Sequence, residues 1–236
     1  MHLGLNVDYE RIIEDPRDLG LEGLGLREGL AGLAVTFDNR EYFAQSPGVG
    51  RGSFVRITAE SNDVIASDYE GNIFQGQWQH TFDLPGRQSV SWDVAVGQAD
   101  REAEPFRLGG TERIADQLLF GRDELSLVGY RRGTEIGHLY HRERLSYGRW
   151  LGRVERNWGL TPFGLGDISG RVFVESGAAW FRNQSSDPIN SVGVELTVEL
   201  ILGYRLPLPV NLGLAEGLDK DRGGETQAYF NVSIPL

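Results

Sequence analysis

Arginine is the side chain through which this sequence can do chemistry. Only Lys220 is a lysine; the other basic residues are arginines, planar five-donor forks that stay charged at any physiological pH. Such groups do not shuttle protons, but they fasten to carboxylates two bonds at a time. Set among 34 acidic residues, they point to fixed internal ion pairs, although a genome-wide preference for arginine codons accounts for the composition equally well. The other reactive types are sparse. His138 and His141 stand three apart beside Glu135 and Glu143, a set that could hold a cation. Their spacing meets no known zinc motif, and exposed loop histidines with acidic neighbours give the same picture. Glu195 and Glu199 could form an acid–base pair, or line a polar interior. Cysteine is absent, which removes thiolate ligands, disulfides and cysteine nucleophiles together. No Gly-x-Ser-x-Gly elbow occurs, and the glycine-rich stretches lack the order of a phosphate-binding loop. The expectation is a non-enzyme, with no catalytic residue, metal ligand or cofactor site assigned.

The elements that must position these charges are strands. Apolar and polar residues alternate with a period of two along most of the chain. Leu3, Leu5, Val7, Tyr9 and Ile13 share one face of the first segment, with Asn6, Asp8 and Glu10 opposite. The scheme recurs in GLAGLAVTFDN, RGSFVRITAES, YEGNIFQGQWQHTFDL and QSVSWDVAVGQAD, and after a gap in LSYGRWLGRVERNW, GDISGRVFVESGAAW, SVGVELTVELILG, LPVNLGLAEG and TQAYFNVSIPL. That makes ten candidate strands in a single domain over 1–236. Several are roughly 10 residues long, enough to cross a bilayer at a tilt. Turns around Leu84–Gln88 and Gly203–Leu208 are short, whereas 39–51, 61–70, 100–142 and 181–190 are long connections. Short turns at one end and long loops at the other are the pattern of a transmembrane β-barrel, whose hydrophobicity hides in every second residue. A soluble β-sandwich also alternates. Its buried face would not, however, normally stand opposite one bearing Arg171, Glu175, Glu195 and Glu199 beside such large outward residues.

Three further features bound the reading. No run of 18 or more apolar residues occurs, which excludes a transmembrane helix and leaves β-strand crossing open. The net charge of −11 argues against a nucleic-acid partner. The start, MHLGLNVDYERIIED, has no charged region followed by an apolar block, so no secretion signal is expected in it. The stretch 105–133, PFRLGGTERIADQLLFGRDELSLVGYRRG, stands apart: five arginines and no steady period within a strand-rich chain.

In that stretch, Phe106–Gly110 (FRLGG) and Leu127–Gly133 (LVGYRRG), followed by Gly152–Arg156 and Val172–Trp180 (VFVESGAAW), the sequence resembles the C-terminal barrel of the bacterial surface-antigen family. This is the superfamily of the BamA- and TamA-type outer-membrane assembly factors and the two-partner secretion transporters. The earlier AVTFDNRE and RGSFVRI resemble that family's strand, turn and strand, so matching motifs run in the same order along most of the chain. The resemblance implies an all-β, antiparallel, up-and-down transmembrane barrel of about ten strands, matching the C-terminal part of a family barrel that usually has sixteen. It implies the bacterial outer membrane as location and the lipid bilayer as partner. It further implies a role in inserting or secreting outer-membrane proteins, or in anchoring an upstream periplasmic domain. A soluble β-rich binding or structural domain, with its function in loop 100–142, is the alternative.

The resemblance also implies site residues. The long loop would fold back into the lumen, leaving the rim at Phe106, Leu108, Gly109 and Gly110 and touching the wall through Gly129, Tyr130, Arg131 and Arg132. Its arginine would pair with Glu155 and Glu175. The chain departs from the family where an arginine usually precedes the Gly-aromatic pair: here Val128 stands there, and Arg131 or Arg132 would have to replace it. The segment 111–124, TERIADQLLFGRDE, is an insertion relative to the family. The family's sideways-opening seam, carried onto this chain, would join Leu3–Ile13 to the last strand at Phe230, Val232, Ile234 and Leu236. Either further strands precede this stretch of protein, or ten strands close alone around a narrow, side-chain-filled interior.

Overall fold

The structure, a computed structural model, describes residues 2–13, 25–41, 51–65, 67–111, 124–157, 163–202 and 206–232. It is all-β. Ten long strands form one antiparallel sheet: β1 (His2–Ile13), β2 (Gly25–Asp38), β3 (Gly52–Ser61), β4 (Asn72–Leu84), β5 (Gln88–Ala99), β9 (Leu139–Asn157), β10 (Phe163–Trp180), β11 (Ile189–Leu202), β12 (Leu206–Gly217) and β13 (Thr226–Val232). Each pairs with its neighbours in chain order. Between β5 and β9, β6 (Phe106–Leu108), β7 (Glu124–Leu125) and β8 (Glu135–Gly137) form a separate three-stranded sheet in the order β7-β6-β8. Among the described residues the only helical element is a single 3₁₀ turn, Lys220–Arg222.

All ten expected strands are present, and where side chains are described the faces that the alternation assigns are the observed ones. The sheet is open, however. β1 and β13 are its two edges and are not neighbours, so the expected joining of first and last strands is not found among the described residues. Phe230 and Val232 lie on β13; Ile234 and Leu236 lie outside the described residues.

The two faces of the sheet are opposite in character. One carries Leu33, Ile57, Phe74, Trp78, Trp92, Leu145, Val172, Val174, Val192, Val194, Leu212, Leu214 and Phe230, all exposed. The other carries Gln77, Gln79, Asp93, Arg142, Arg144, Arg171, Glu175 and Glu195, none of them exposed. This reverses the usual order of a protein in water. On the polar face, aromatic rings cover glycines of neighbouring strands: Tyr140 over Gly97, Phe173 over Gly193 and Tyr229 over Gly213. Each ring fills the space that a bare backbone leaves on a sheet.

What buries the polar face is the segment between β5 and β9. Its Ala103, Phe106, Leu108, Leu127 and Tyr130 join Leu30 of β2, Ile73 of β4, Ala95 and Ala99 of β5, Tyr140 of β9, Ala179 of β10 and Ile189 of β11 in one apolar cluster. Its backbone also meets Gly217 of β12 and the Gln227 side chain of β13. A flat sheet would spread β2 to β13 over about 38 Å at the usual strand spacing, so strands this far apart meet around one short segment because the sheet curls around it. We call this segment the plug.

Candidate functional site: the plug and its wall

The plug is tied together by β-structure rather than left irregular. β6 pairs antiparallel with β8, Phe106 opposite Gly137 and Leu108 opposite Glu135, and parallel with β7. Gly109 and Gly110 follow at φ 129° and 83°, left-handed values that a side chain would strain. They turn the chain so that the Gly110 N–H donates to the Tyr130 carbonyl. Leu108 and Leu127 then lie over Gly177 of β10, where any side chain would displace them. Phe106, Leu108, Gly109 and Gly110, singled out in the sequence, thus lie together at the start of the plug.

Beneath the plug, the wall holds a ladder of ion pairs. Asp93 of β5 pairs with Arg142 of β9 at 3.2 Å, and Arg142 with Glu175 of β10 at 3.2 Å. Glu175 also takes Arg144 of β9 at 3.3 Å, and Arg144 reaches Glu195 of β11 at 3.5 Å. Glu195 binds Arg171 of β10 at 3.2 Å and accepts the Tyr229 hydroxyl of β13 at 3.0 Å. Gln77 of β4 donates to Asp93 at the other end. The ladder thus cross-links six strands with three arginines against three carboxylates. Pairing of this kind is what makes buried charge tolerable. A polar cavity of about 230 Å³ lies over it, lined among others by Gln79, Ser91, Ser126 and Ser146.

Glu175 is where plug and wall meet. Its side chain is 1% exposed, and besides the two guanidiniums it accepts the Val128 N–H at 3.1 Å and the Ser191 hydroxyl at 3.4 Å. The expected lock therefore involves Glu175 but not the expected arginines. Arg131 is 82% exposed and faces Glu225 at 3.7 Å. Arg132 of the plug is exposed and lines a surface cavity with Thr111 and Gln227. Glu155 lies on β9 eleven residues beyond Arg144, the residue opposite Glu175. At about 3.3 Å per residue that is some 36 Å away, too far to share the lock. The physical reason for the change is visible at Val128. Its side chain packs on Phe173 and Ala215, so only its backbone reaches Glu175, and the guanidiniums come from the wall itself.

The tip of the plug makes the second attachment. Tyr130 is fully buried; its hydroxyl donates to the Asn190 carbonyl at 2.6 Å and bonds the Asp219 carboxylate at 2.8 Å. Burial pushes the Tyr130 phenol above its ordinary range. The Asn190 N–H, then the Tyr130 hydroxyl and the charge of Arg222, hold Asp219 below the ordinary carboxylate range. Gln227 of β13 brackets the tip: its Oε1 accepts the Gly129 N–H at 3.0 Å and its Nε2 donates to the Tyr130 carbonyl at 2.8 Å. Arg222 ties the base of the plug to the neighbouring connection through Glu135 at 2.7 Å and Asp187 at 3.0 Å.

Most of the remaining residues singled out in the sequence have structural partners, and Glu143 is exposed. His138 packs edge-on against Phe181 and His141 against Trp180, while Glu135 pairs with Arg222. Glu199 accepts the Asp167 N–H, and Glu195 belongs to the ladder. Sequence reasoning missed Arg142, Arg144, Asp219 and Gln227. Arg142 and Arg144 were findable: in LYHRERLSYG, Tyr140, Arg142, Arg144 and Ser146 share one face, but the charged residues between them hid the start of a strand. Asp219 and Gln227 carry no local signal. Compared with known proteins, the chain matches no family model and no curated protein.

Proposed function

We propose that this sheet is the wall of an outer-membrane β-barrel, and that the protein is a barrel of the assembly-factor type with its lumen closed by the plug. The observation that carries the reading is the inversion of polarity: a continuous apolar face left exposed, and a charged face buried under the plug. Exposed apolar surface on this scale calls for a partner, and alternating strands with an apolar exterior and a polar interior suit a bilayer. Closure would use the two free edges, β1 and β13, whether with each other or with further strands. With plug and ladder filling the interior, a wide pore is disfavoured, so the role in insertion or secretion would work at the wall rather than through the lumen. Anchoring of a periplasmic domain is the other use of such a wall.

Two measurements test this. A folded barrel in detergent migrates differently on a gel before and after boiling, and the chain should do so; a protein that is monomeric without detergent and shows no shift overturns the barrel reading. Liposomes carrying the folded protein should then speed the insertion of an unfolded outer-membrane barrel. Migration that shifts without any acceleration leaves the membrane wall standing and removes the assembly role.

A further inference from the structure

The tip of the plug crosses the β12–β13 hairpin backbone against backbone, with glycine on every side of the crossing. A side chain at Gly129 would meet the Gly217 nitrogen at 2.5 Å, and φ of 91° already reserves that position for glycine. One at Gly217 would run into the Gly129 carbonyl, and one at Gly224 would meet the Gly217 carbonyl at 2.6 Å. Hydrogen bonds close the crossing. The Glu225 N–H donates to the Gly129 carbonyl at 2.9 Å and the Gly217 N–H to the Glu225 carbonyl at 3.1 Å. The Gln227 amide spans the next peptide in both directions, and the Tyr130 hydroxyl ties in Asp219 of the same hairpin.

The strand held in this way is an edge. Among the described residues β13 pairs only with β12, over seven positions from Val210↔Val232 to Glu216↔Thr226. One ladder of backbone bonds is weak restraint for a strand with the other side unpaired. The plug contributes attachments to it at Gln227 and at the entry to the strand, Glu225. We propose that the plug tip is a latch on β13: the edge strand is held in register only while the plug is seated, so that plug release and freeing of that edge are a single event. The latch is a property of the fold and does not depend on the bilayer reading. It differs from the Glu175 lock, which fastens the plug to β10 and reaches β13 only indirectly, through Arg144, Glu195 and the Tyr229 hydroxyl.

Hydrogen–deuterium exchange on the folded protein, in detergent or in buffer as solubility requires, reads both parts at once. Gly217→Ala, at a φ that is not left-handed, crowds the Gly129 carbonyl but also Gly224 of its own hairpin. Leu108→Ala, which loosens the plug in a cluster that lies on β2 to β11, is therefore read beside it and should also speed exchange in β13. Gly152→Ala, where a side chain meets nothing within 4 Å, is the control. Gly217→Ala should speed exchange roughly tenfold or more, both in plug peptides (105–111, 124–138) and in β13 (226–232), as a shared opening requires. β3 to β5 and the control variant should not change. Where Gly217→Ala does not fold, Tyr130→Phe and Gln227→Leu carry the same readout with smaller rises in both segments. Faster exchange in the plug with β13 still protected overturns the latch, and so does no change in either.

Discussion

Glu175 accepts from two guanidiniums, a backbone N–H and a hydroxyl, and that company decides what its loss would do. In Glu175→Gln, Arg142 keeps Asp93 and Arg144 keeps Glu195, but two part-buried cations lose their shared, buried anion. Removing one partner of a buried pair costs about 3 kcal/mol at the lower end of what is usual, and the urea unfolding midpoint should fall accordingly. Val128→Arg sharpens the comparison with the family motif. If the missing loop arginine were merely waiting to be restored, the variant would gain stability. Here the Val128 side chain sits against Phe173 and Ala215, and Glu175 already holds two arginines. The third should destabilise, expel the plug and raise protease cleavage between residues 105 and 138. A more stable variant would mean that the lock has been read wrongly.

Asp219 gives the attachment a pH dependence with a definite sign. Its folded carboxyl lies below the ordinary range, held first by the Asn190 N–H, so its contribution is fully present above the unfolded value, about 3.9. It is lost as pH falls through the lower folded value. Tyr130 works at the other extreme. Burial raises its phenol, so its contribution is complete below about 10 and fades as pH rises through the folded value. Plug protection should therefore be flat through neutrality and weaken in acid. In Asp219→Asn the acid-dependent part measured by hydrogen exchange should shrink; an unchanged acid limb would assign it to other carboxylates.

At the scale of elements, strands and plug were legible to different degrees. A strand with one apolar and one polar face writes itself into the sequence at period two, and ten were read that way. The start of β9 is hidden in the sequence because Tyr140, Arg142 and Arg144 alternate with His141 and Glu143 rather than with apolar residues. The plug has no period because its buried residues do not lie along one strand: Phe106, Leu108, Leu127 and Tyr130 are all buried, yet they come from two segments joined only in space. Its anchors, Asp219 and Gln227, lie 89 and 97 residues from Tyr130, a separation that no local pattern encodes. The plug's hold is apolar as well as polar, which is testable. Leu108→Ala and Leu127→Ala each remove a fully buried side chain and should cost about 2–5 kcal/mol. The loss should appear as loop proteolysis while the strand signal in circular dichroism stays.

For the molecule as a whole, the question is what its apolar face touches, and one substitution separates the answers. Val194 lies in the middle of β11, 51% exposed, between Val172 of β10 and Leu214 of β12. In water, an arginine placed there would meet solvent, and an exposed substitution of this kind stays within about 0.5 kcal/mol. In a bilayer the same guanidinium would face hydrocarbon, at a cost of about 2–4 kcal/mol near the midplane, falling toward the interfaces. Val194→Arg should therefore lower stability by that larger amount in lipid vesicles. Thr226→Arg, on the same face at the end of β13, should be nearly neutral. The depth dependence matters more than either value alone. In a soluble sheet the two positions would differ only by cross-strand packing, about 0.2–1 kcal/mol, so small effects at both would remove the membrane from this protein's description while leaving plug, ladder and latch as they are.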